Sequence, residues 1–331
     1  MTQALHQPIA SFDLAGSWQA DIETKAVQQR IQYLAQHYLN VEHLSDRLSD
    51  LPRQFNHPQV RTWQKINWQD ISPSQIVGIE LEVFLKILIG AINTEAPIRD
   101  YTQASRLYLQ AIHPPMAKFV GGSIAPDGSL QELGLWEKEE RQHTPALSRI
   151  YHQLTGENPL VNPHSARPFQ AIGDPRAALY RHGVHRVATE YGATCLYLWM
   201  MAHTTGALQQ VLQELLIDEV NHMTKFWGFG CWAYPEASIQ QMGWMLLKSS
   251  GGRLGYRRDR SHLFGTLHRM TETLAWSDWS WSNRRTFAIT CWRVLRQMRV
   301  WLKTMKRQDL ENLMQVESYY TSPSMGAKPC R

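Results

Sequence analysis

The sequence predicts an all-α protein with a four-helix bundle core and extra N- and C-terminal helices. Apolar residues recur at alternating steps of three and four along four segments, which is the pattern of helices that bury one face. No neighbouring runs of alternating apolar and polar residues indicate paired strands. With 331 residues and 43% hydrophobic content, the chain can bury a large core.

Residues 1–70 are predicted to form an N-terminal arm and helix. The first 20 residues lack a regular pattern and indicate an irregular arm. An amphipathic helix is predicted over Ile22–Leu48, because apolar side chains recur along one face. Those side chains are Val27, Ile31, Leu34 and Tyr38. Prolines and polar residues predict a linking loop over Leu51–Asp70.

Residues 71–230 are predicted to form the four-helix core. Ser72 and Pro73 are predicted to open its first helix, since serine is a favoured N-cap and proline suits the first turn. Pro97 and Pro145 each predict either a kink or the end of a helix.

The third and fourth core helices are predicted over Ala177–Ala202 and Ala207–Trp227. The turn between them, Thr205-Gly206, is short enough to make the two helices antiparallel neighbours. Proline and glycine residues predict loops over residues 113–131 and 155–175.

Carboxylates and imidazoles interrupt the apolar faces of the four core helices. Two Glu-x-x-His pairs each place a glutamate and a histidine one turn apart, and each pair follows a lone glutamate on the preceding helix. The six residues, in chain order, are Glu95, Glu140, His143, Glu190, Glu219 and His222. Single Glu-x-x-His pairs arise readily by chance, whereas this order on four core faces does not.

Such buried charges must be protonated, paired or bound to a metal ion, because unpaired burial is costly. Four glutamates carry a charge of −4, which two divalent cations cancel. Oxygen and imidazole ligands without thiolate suit iron or manganese. The sequence therefore predicts a di-metal site, with buried ion pairs or a different helical register as the alternatives.

Short motifs surround these positions. The first helix reads Gly-x-x-x-Thr-Glu up to Glu95, a tryptophan lies seven residues before His143, and Asp-Glu-x-x-His ends at His222. Over residues 71–229, these motifs resemble the ferritin-like di-iron carboxylate family, and most closely the soluble acyl-acyl carrier protein desaturases. The resemblance implies a ferritin-like bundle and an O2-dependent enzyme.

The resemblance also implies roles for individual residues. The six residues would be the ligands of two iron ions, with manganese as an alternative to one or both. Glu140 and Glu219 would bridge the two ions, and Asp218 and Glu139 would orient the imidazoles. Dioxygen would be the co-substrate.

The region around Glu190 departs from the desaturase pattern. Desaturases carry a threonine three residues after this glutamate, whereas here that residue is Ala193 and Thr194 follows. The spacing of Thr194 is similar to that in bacterial multicomponent monooxygenases, so desaturation and hydroxylation both stay open. Thr194 is predicted to assist oxygen protonation or, alternatively, to bond a backbone carbonyl one turn back. Leu215 replaces an extra histidine of arylamine N-oxygenases, which disfavours N-oxygenation.

The predicted function is oxidation of an unactivated C–H bond in an acyl chain or another hydrophobic substrate, either a free small molecule or a carrier-bound acyl thioester. A non-catalytic ferroxidase or iron store is one alternative. Another is an oxygenase of a non-lipid substrate, such as RNA or an aromatic amine. The long tryptophan-rich C-terminal third argues against storage.

Residues 231–331 are predicted to form a basic, tryptophan-rich extension that packs on the bundle. Its helices are predicted over Ala237–Leu247, Ser261–Ala275 and Asn283–Lys306. Lys248–Arg307 has 14 basic residues and three acids, a net charge of +11, while the remainder of the chain carries about −6. This asymmetry predicts an acidic partner such as a ferredoxin or an acyl carrier protein. An anionic membrane surface would also complement this charge. Nucleic acid is disfavoured as a partner, because the segment has no recognisable nucleic-acid-binding motif. Whether the chain forms a homodimer stays open.

Four widely spaced cysteines without a C-x-x-C motif indicate neither a zinc site nor a disulfide framework. The N-terminus lacks a signal-peptide pattern, and charged residues interrupt the most apolar segment, Ile76–Ile92. A cytoplasmic protein without a membrane span is therefore expected.

Overall fold

The fold is that of a computed structural model, which describes residues 17–40, 60–162, 175–233 and 273–304. These residues are mostly helical, which confirms the predicted all-α class. The helices are α1 (Ser17–Tyr38), α2 (Leu81–Glu95), α3 (Ile98–Ile112), α4 (Pro114–Val120), α5 (Leu135–Thr155), α6 (Pro175–Ala202), α7 (Gly206–Ala233) and α8 (Trp281–Thr304). Two short strands, β1 (Ser123–Ile124) and β2 (Leu130–Glu132), form an antiparallel hairpin. No described helix combines the length and the apolar character that crossing a bilayer requires.

Helix α1 differs from its prediction in its bounds but not in its buried face. It begins at Ser17, inside the predicted irregular arm, and ends at Tyr38 rather than at Leu48. The predicted apolar face is buried, and its residues are Val27, Ile31, Leu34 and, in part, Tyr38. The indole of Trp301 in α8 donates a hydrogen bond to the carbonyl of Leu39 at 2.8 Å, so the C-terminal helix holds the end of α1.

The first core helix begins later than predicted. Ser72 and Pro73 open only a 3-10 turn, and α2 follows after a further extended stretch. That stretch is not helical because it pairs with the turn before α7, where the amide of Val77 donates to the carbonyl of His203 at 2.9 Å. Gly78 then turns the chain with a φ of +67°, a conformation that glycine adopts without steric cost.

The two prolines have opposite effects. Pro97 separates α2 from α3, so the helix that carries Glu95 ends at that residue. Pro145 lies inside α5, which continues to Thr155. His143 and Pro145 therefore share one continuous helix.

Residues 113–131, predicted to be a loop, contain α4 and the β1–β2 hairpin. The imidazole of His113 caps α4 by accepting a hydrogen bond from the amide of Met116 at 3.3 Å. Gly122 has a φ of +91° and lies too close to the carbonyl of Glu132 to carry a side chain. The expectation of no paired strands is wrong here, because strands of two and three residues are too short to show alternation.

Helices α6 and α7 form an antiparallel pair at the centre of the core, as their short connection predicts. Gly206 begins α7 with a φ of +58°. Helix α2 packs on α5, α5 also contacts α7, and α8 packs on α6 and α1. The four helices that carry the predicted ligand residues thus form a connected set of neighbours.

Helix α8 is close to its predicted bounds of Asn283–Lys306. Several other predicted elements lie outside the described residues. These are the arm over residues 1–16, the chain between residues 41 and 59, residues 163–174 of the second loop, the helix Ala237–Leu247, most of the helix Ser261–Ala275, and the chain after residue 304.

Candidate metal centre

The structure brings all six predicted ligand residues together between α2, α5, α6 and α7. They form two overlapping groups, in each of which the ligand atoms lie within 4.8 Å of one another. One group is Glu95, Glu140, His143 and Glu219, and the other is Glu140, Glu190, Glu219 and His222. Each group could hold a metal ion. Neither contains a cysteine, and Cys195 and Cys291 are free thiols.

Glu140 and Glu219 belong to both groups, and each divides its two oxygens between the two histidines. Glu140 Oε2 lies 3.3 Å from His143 Nδ1, and Glu140 Oε1 lies 3.1 Å from His222 Nδ1. Glu219 Oε1 lies 3.2 Å from His143 Nδ1, and Glu219 Oε2 lies 3.9 Å from His222 Nδ1. Both carboxylates therefore lie between the two histidines and are shared by the two groups that could hold metal.

The other two glutamates each contribute to one group. Glu95 Oε2 lies 4.0 Å from His143 Nδ1, and we refer to these two residues as the His143 half. Glu190 Oε2 lies 3.7 Å from His222 Nδ1, and we refer to these two residues as the His222 half. The phenol of Tyr197 donates to Glu95 Oε1 at 2.9 Å and fixes that carboxylate.

The second nitrogen of each imidazole faces a carboxylate on the opposite helix. His143 Nε2 on α5 lies 3.4 Å from Asp218 Oδ2 on α7. His222 Nε2 on α7 lies 2.9 Å from Glu139 Oε2 on α5. Contacts of this kind fix the ring orientation and the tautomer of metal-binding histidines. They leave both Nδ1 atoms directed at the shared carboxylates.

One segment before the core helices holds both of these orienting carboxylates. The backbone amide of Arg61 donates to Glu139 Oε1 at 2.9 Å, and Arg61 Nε donates to Asp218 Oδ1 at 2.7 Å. Trp63 Nε1 donates to Asp218 Oδ2 at 2.8 Å. The Arg61 guanidinium also binds the side chain and the carbonyl of Glu214. Sequence reasoning placed this segment in a linking loop, where the only signal is an arginine and a tryptophan among polar residues.

Thr194, the predicted proton-transfer residue, is fully buried on α6, one turn after Glu190. Its hydroxyl has no hydrogen-bond partner within the described part of the chain. Thr290, by contrast, donates its hydroxyl to the carbonyl of Thr286 at 2.9 Å. Thr194 therefore does not make the backbone bond that was the alternative interpretation of this residue.

Burial and charge act differently on three of the glutamates. Burial raises the pKa of Glu95 well above its ordinary value, and the charges of Glu140 and Glu219 raise it further. Burial also raises the pKa of Glu190, again with a large contribution from Glu219. Burial acts in the same direction on Glu140, but the neighbouring imidazoles outweigh it, so the pKa of Glu140 is lowered.

The charges around the two histidines favour the protonated imidazole. Burial alone lowers the pKa of an imidazole, but the surrounding carboxylates raise the pKa of His143 and His222 well above the ordinary value. Metal ligation requires neutral imidazole, so metal binding must release these protons.

The donor set meets the requirements of two metal ions. The Nδ1 atoms of both histidines and both oxygens of Glu219 are buried and face one another, but none of these contacts has the geometry of a hydrogen bond. Two divalent cations would coordinate these atoms and offset the charge of the four glutamates.

Comparison with known proteins assigns no family, because no protein-family model, curated protein or solved structure matches this chain. The fold and the site define a helical protein with a buried carboxylate–histidine cluster that could bind metal. Its function has to be inferred from the side chains around that cluster.

Proposed function

We propose that this chain is a di-iron, O2-dependent oxidoreductase with a ferritin-like core. The reaction is desaturation or hydroxylation at an unactivated C–H bond of an acyl chain or another hydrophobic substrate. The observation that supports it most is the pair of four-residue groups that share Glu140 and Glu219. A single structural metal ion does not require two carboxylates divided between two histidines. Oxygen and imidazole donors without thiolate favour iron or manganese, and we assign iron.

Two iron ions in this site would supply the oxidising power that O2 chemistry at a C–H bond requires. Glu140 and Glu219 would each hold both ions, and Asp218 and Glu139 hold the imidazole rings in place. Burial of the cluster keeps bulk water away from the reacting centre. The Thr194 hydroxyl lies one turn from Glu190, where its Oγ1 can hold or pass a proton.

Metal and product analysis of the full chain test this proposal. Protein loaded with Fe(II) in the absence of oxygen should contain about two irons per chain. On exposure to O2 it should oxidise a component of a mixture of small molecules and acyl thioesters extracted from expressing cells, as detected by mass spectrometry. Zn(II)-loaded protein is the control and should give no product. Well-folded protein with less than one metal ion per chain would contradict the site, and iron oxidation without organic product would favour a ferroxidase.

We further propose that the exposed face of α8 binds an acidic protein that supplies electrons or presents substrate. Helix α8 contains no acidic residue, and Arg285, Arg296 and Arg299 are exposed on it. Trp292 is 54% exposed, and the Arg296 guanidinium stacks over its ring at 5.5 Å. Trp292 and Leu295 thus lie at the surface with the arginines.

Charge reversal at Arg296 and Arg299 to Glu tests this surface. The double variant should bind an acidic ferredoxin or acyl carrier protein more weakly, with unchanged iron content. Binding to the wild type should weaken as added salt shortens the screening length below about 10 Å. Reversal of the exposed Arg99 and Arg149 is the matched control. Equal binding by wild type and double variant at low and high salt would exclude this surface.

A further inference from the structure

Arg186 is a buried cation that no carboxylate among the described residues neutralises. It lies on α6, one turn before Glu190, and is only 7% exposed. Arg106 is equally buried, but its guanidinium donates to Glu137 Oε2 at 2.8 Å. Arg186 makes no ion pair or side-chain hydrogen bond within the described chain, and its Nε is buried without a partner. It therefore differs from an ordinary buried structural arginine.

Two aromatic rings hold the Arg186 guanidinium in place without satisfying it. Its Cζ lies 3.8 Å from the ring centroid of Tyr101 and 4.9 Å from that of Trp136. Such contacts stabilise a cation over an aromatic face, but they provide no hydrogen-bond acceptor for the buried Nε–H group. The indole Nε1 of Trp136 is also buried without a partner in the described chain. The neighbouring side chains of Arg186 and Trp136 therefore each have a buried N–H donor, Nε and Nε1, without a described acceptor.

A negatively charged acceptor would both satisfy the buried Arg186 Nε–H and neutralise the guanidinium. Arginine keeps its proton inside proteins, so it cannot become neutral to reduce the cost of burial. A carboxylate offers two oxygens that match the donor fork of a guanidinium, and its second oxygen can also accept from a neighbouring indole. The aromatic surroundings favour an anion that is attached to a hydrophobic body.

We propose that Arg186 binds the carboxylate of an organic monoanion whose hydrophobic body extends toward the metal cluster. One guanidinium neutralises one negative charge, which favours a monoanion. Glu190 follows Arg186 by four residues, a rise of ~6 Å along the helix. Trp136 also contacts His222, with ring centroids 6.4 Å apart. The anion site does not depend on the proposed function, whereas its assignment as the substrate site rests on that function.

Binding of octanoate to the full-length, metal-free chain tests the anion site. Octanamide, an uncharged analogue of the same length, is the comparison ligand. By calorimetry, octanoate should bind about tenfold or more tightly than octanamide, because charge-assisted hydrogen bonds are the stronger ones. Arg186→Gln should abolish this preference, and Arg186→Lys should keep part of it. Arg149→Gln is the matched control, since Arg149 stacks on Trp68 at 4.5 Å but is exposed.

Two results would overturn the anion site. One is equal affinity of the wild type for octanoate and octanamide. The other is an unchanged octanoate preference in Arg186→Gln. If Arg186→Gln does not fold, the affinities of the wild type and of Arg186→Lys for octanoate and octanamide still test the anion site. The site would be overturned if neither protein bound octanoate more tightly than octanamide.

The orientation toward the cluster has its own test. The fluorine signal of bound 8-fluorooctanoate should broaden when Mn(II) fills the cluster and stay sharp with Zn(II). A sharp signal in protein that holds both octanoate and Mn(II) would overturn the orientation. Protein that binds octanoate through Arg186 but holds no metal would overturn the proposed function and leave the anion site intact, so the two failures are distinguishable.

Discussion

The two halves of the cluster contain the same kinds of side chain but are supported differently. In the His143 half, Asp218 orients the imidazole and is itself held by the side chain of Arg61. In the His222 half, Glu139 orients the imidazole and is held by the backbone amide of Arg61. A side-chain substitution can therefore disturb the first half and spare the second.

The halves also differ in exposure. The Glu95 side chain is 11% exposed, whereas the Glu190 side chain is 4% exposed. Glu95 is fixed by the phenol of Tyr197 at 2.9 Å, whereas the contact of Glu190 with the hydroxyl of Thr189 is longer, at 3.4 Å. Greater exposure favours exchange with solvent, so we expect the His143 half to lose metal before the His222 half.

The largest effect should come from the carboxylates that belong to both halves. Glu219→Ala should reduce the iron content from about two to below one per chain, because each metal position loses a ligand. Glu95→Ala and Glu190→Ala should each remove about one iron, since each residue serves a single half. Metal analysis by mass spectrometry gives the stoichiometry.

Glu157→Ala, an exposed glutamate outside the cluster, is the matched control and should retain the wild-type iron content. Retention of two irons by Glu219→Ala would show that the shared carboxylate is not a bridge. Equal iron contents in all three cluster variants would show that the halves are not separable.

Substitution of Arg61 should separate the two halves. Arg61→Gln removes the guanidinium contacts to Asp218 but keeps the backbone amide that binds Glu139, so the affinity of the His143 half should fall about 10–100-fold. Trp63→Phe removes one hydrogen bond to Asp218 and should have a smaller effect in the same half. Stepwise Fe(II) titration of each variant measures the two affinities.

Trp68→Phe is the control for Trp63→Phe, because Trp68 lies in the same segment and stacks with Arg149 instead. Equal loss of affinity at both metal positions in Arg61→Gln would contradict the asymmetry between the halves.

The stabilising effect of metal should grow with pH. The pKa values of His143 and His222 are raised in the metal-free chain, so their stabilising contribution is complete below the unfolded value of about 6.5. It is lost as the pH rises through the raised folded values. The affinity for metal rises over the same pH range, because fewer protons compete with the metal for the imidazole nitrogens. Calorimetry should show a wider gap in melting temperature between loaded and metal-free protein at about pH 8 than at about pH 6. A constant or narrowing gap would argue against the imidazoles as ligands.

Local periodicity was enough to predict the parts of this molecule that depend on one helix at a time. The buried face of α1 and the six cluster residues follow from side chains at three- and four-residue steps, and the α6–α7 pair follows from its short connection. Contacts between distant segments leave no such pattern. The Arg61–Asp218 bond joins residues 157 positions apart, and the late start of α2 depends on the Val77–His203 bond. The pairing of Arg186 with two rings is missed for the same reason.

The smallest effect concerns Thr194, which lies one turn from Glu190 of the His222 half. Thr290 is the matched control. Thr290→Val removes a hydrogen bond of 2.9 Å to the carbonyl of Thr286 and should lower the free energy of unfolding by about 1 kcal/mol. Thr194→Val removes a buried hydroxyl without a described partner, so stability should stay constant or rise by up to about 1 kcal/mol. Denaturant titration measures both values.

If the hydroxyl also moves a proton, Thr194→Val should lower kcat at unchanged iron content, and Thr194→Ser should restore it. Equal destabilisation by the two valine variants, with unchanged kcat in Thr194→Val, would assign Thr194 a purely structural role.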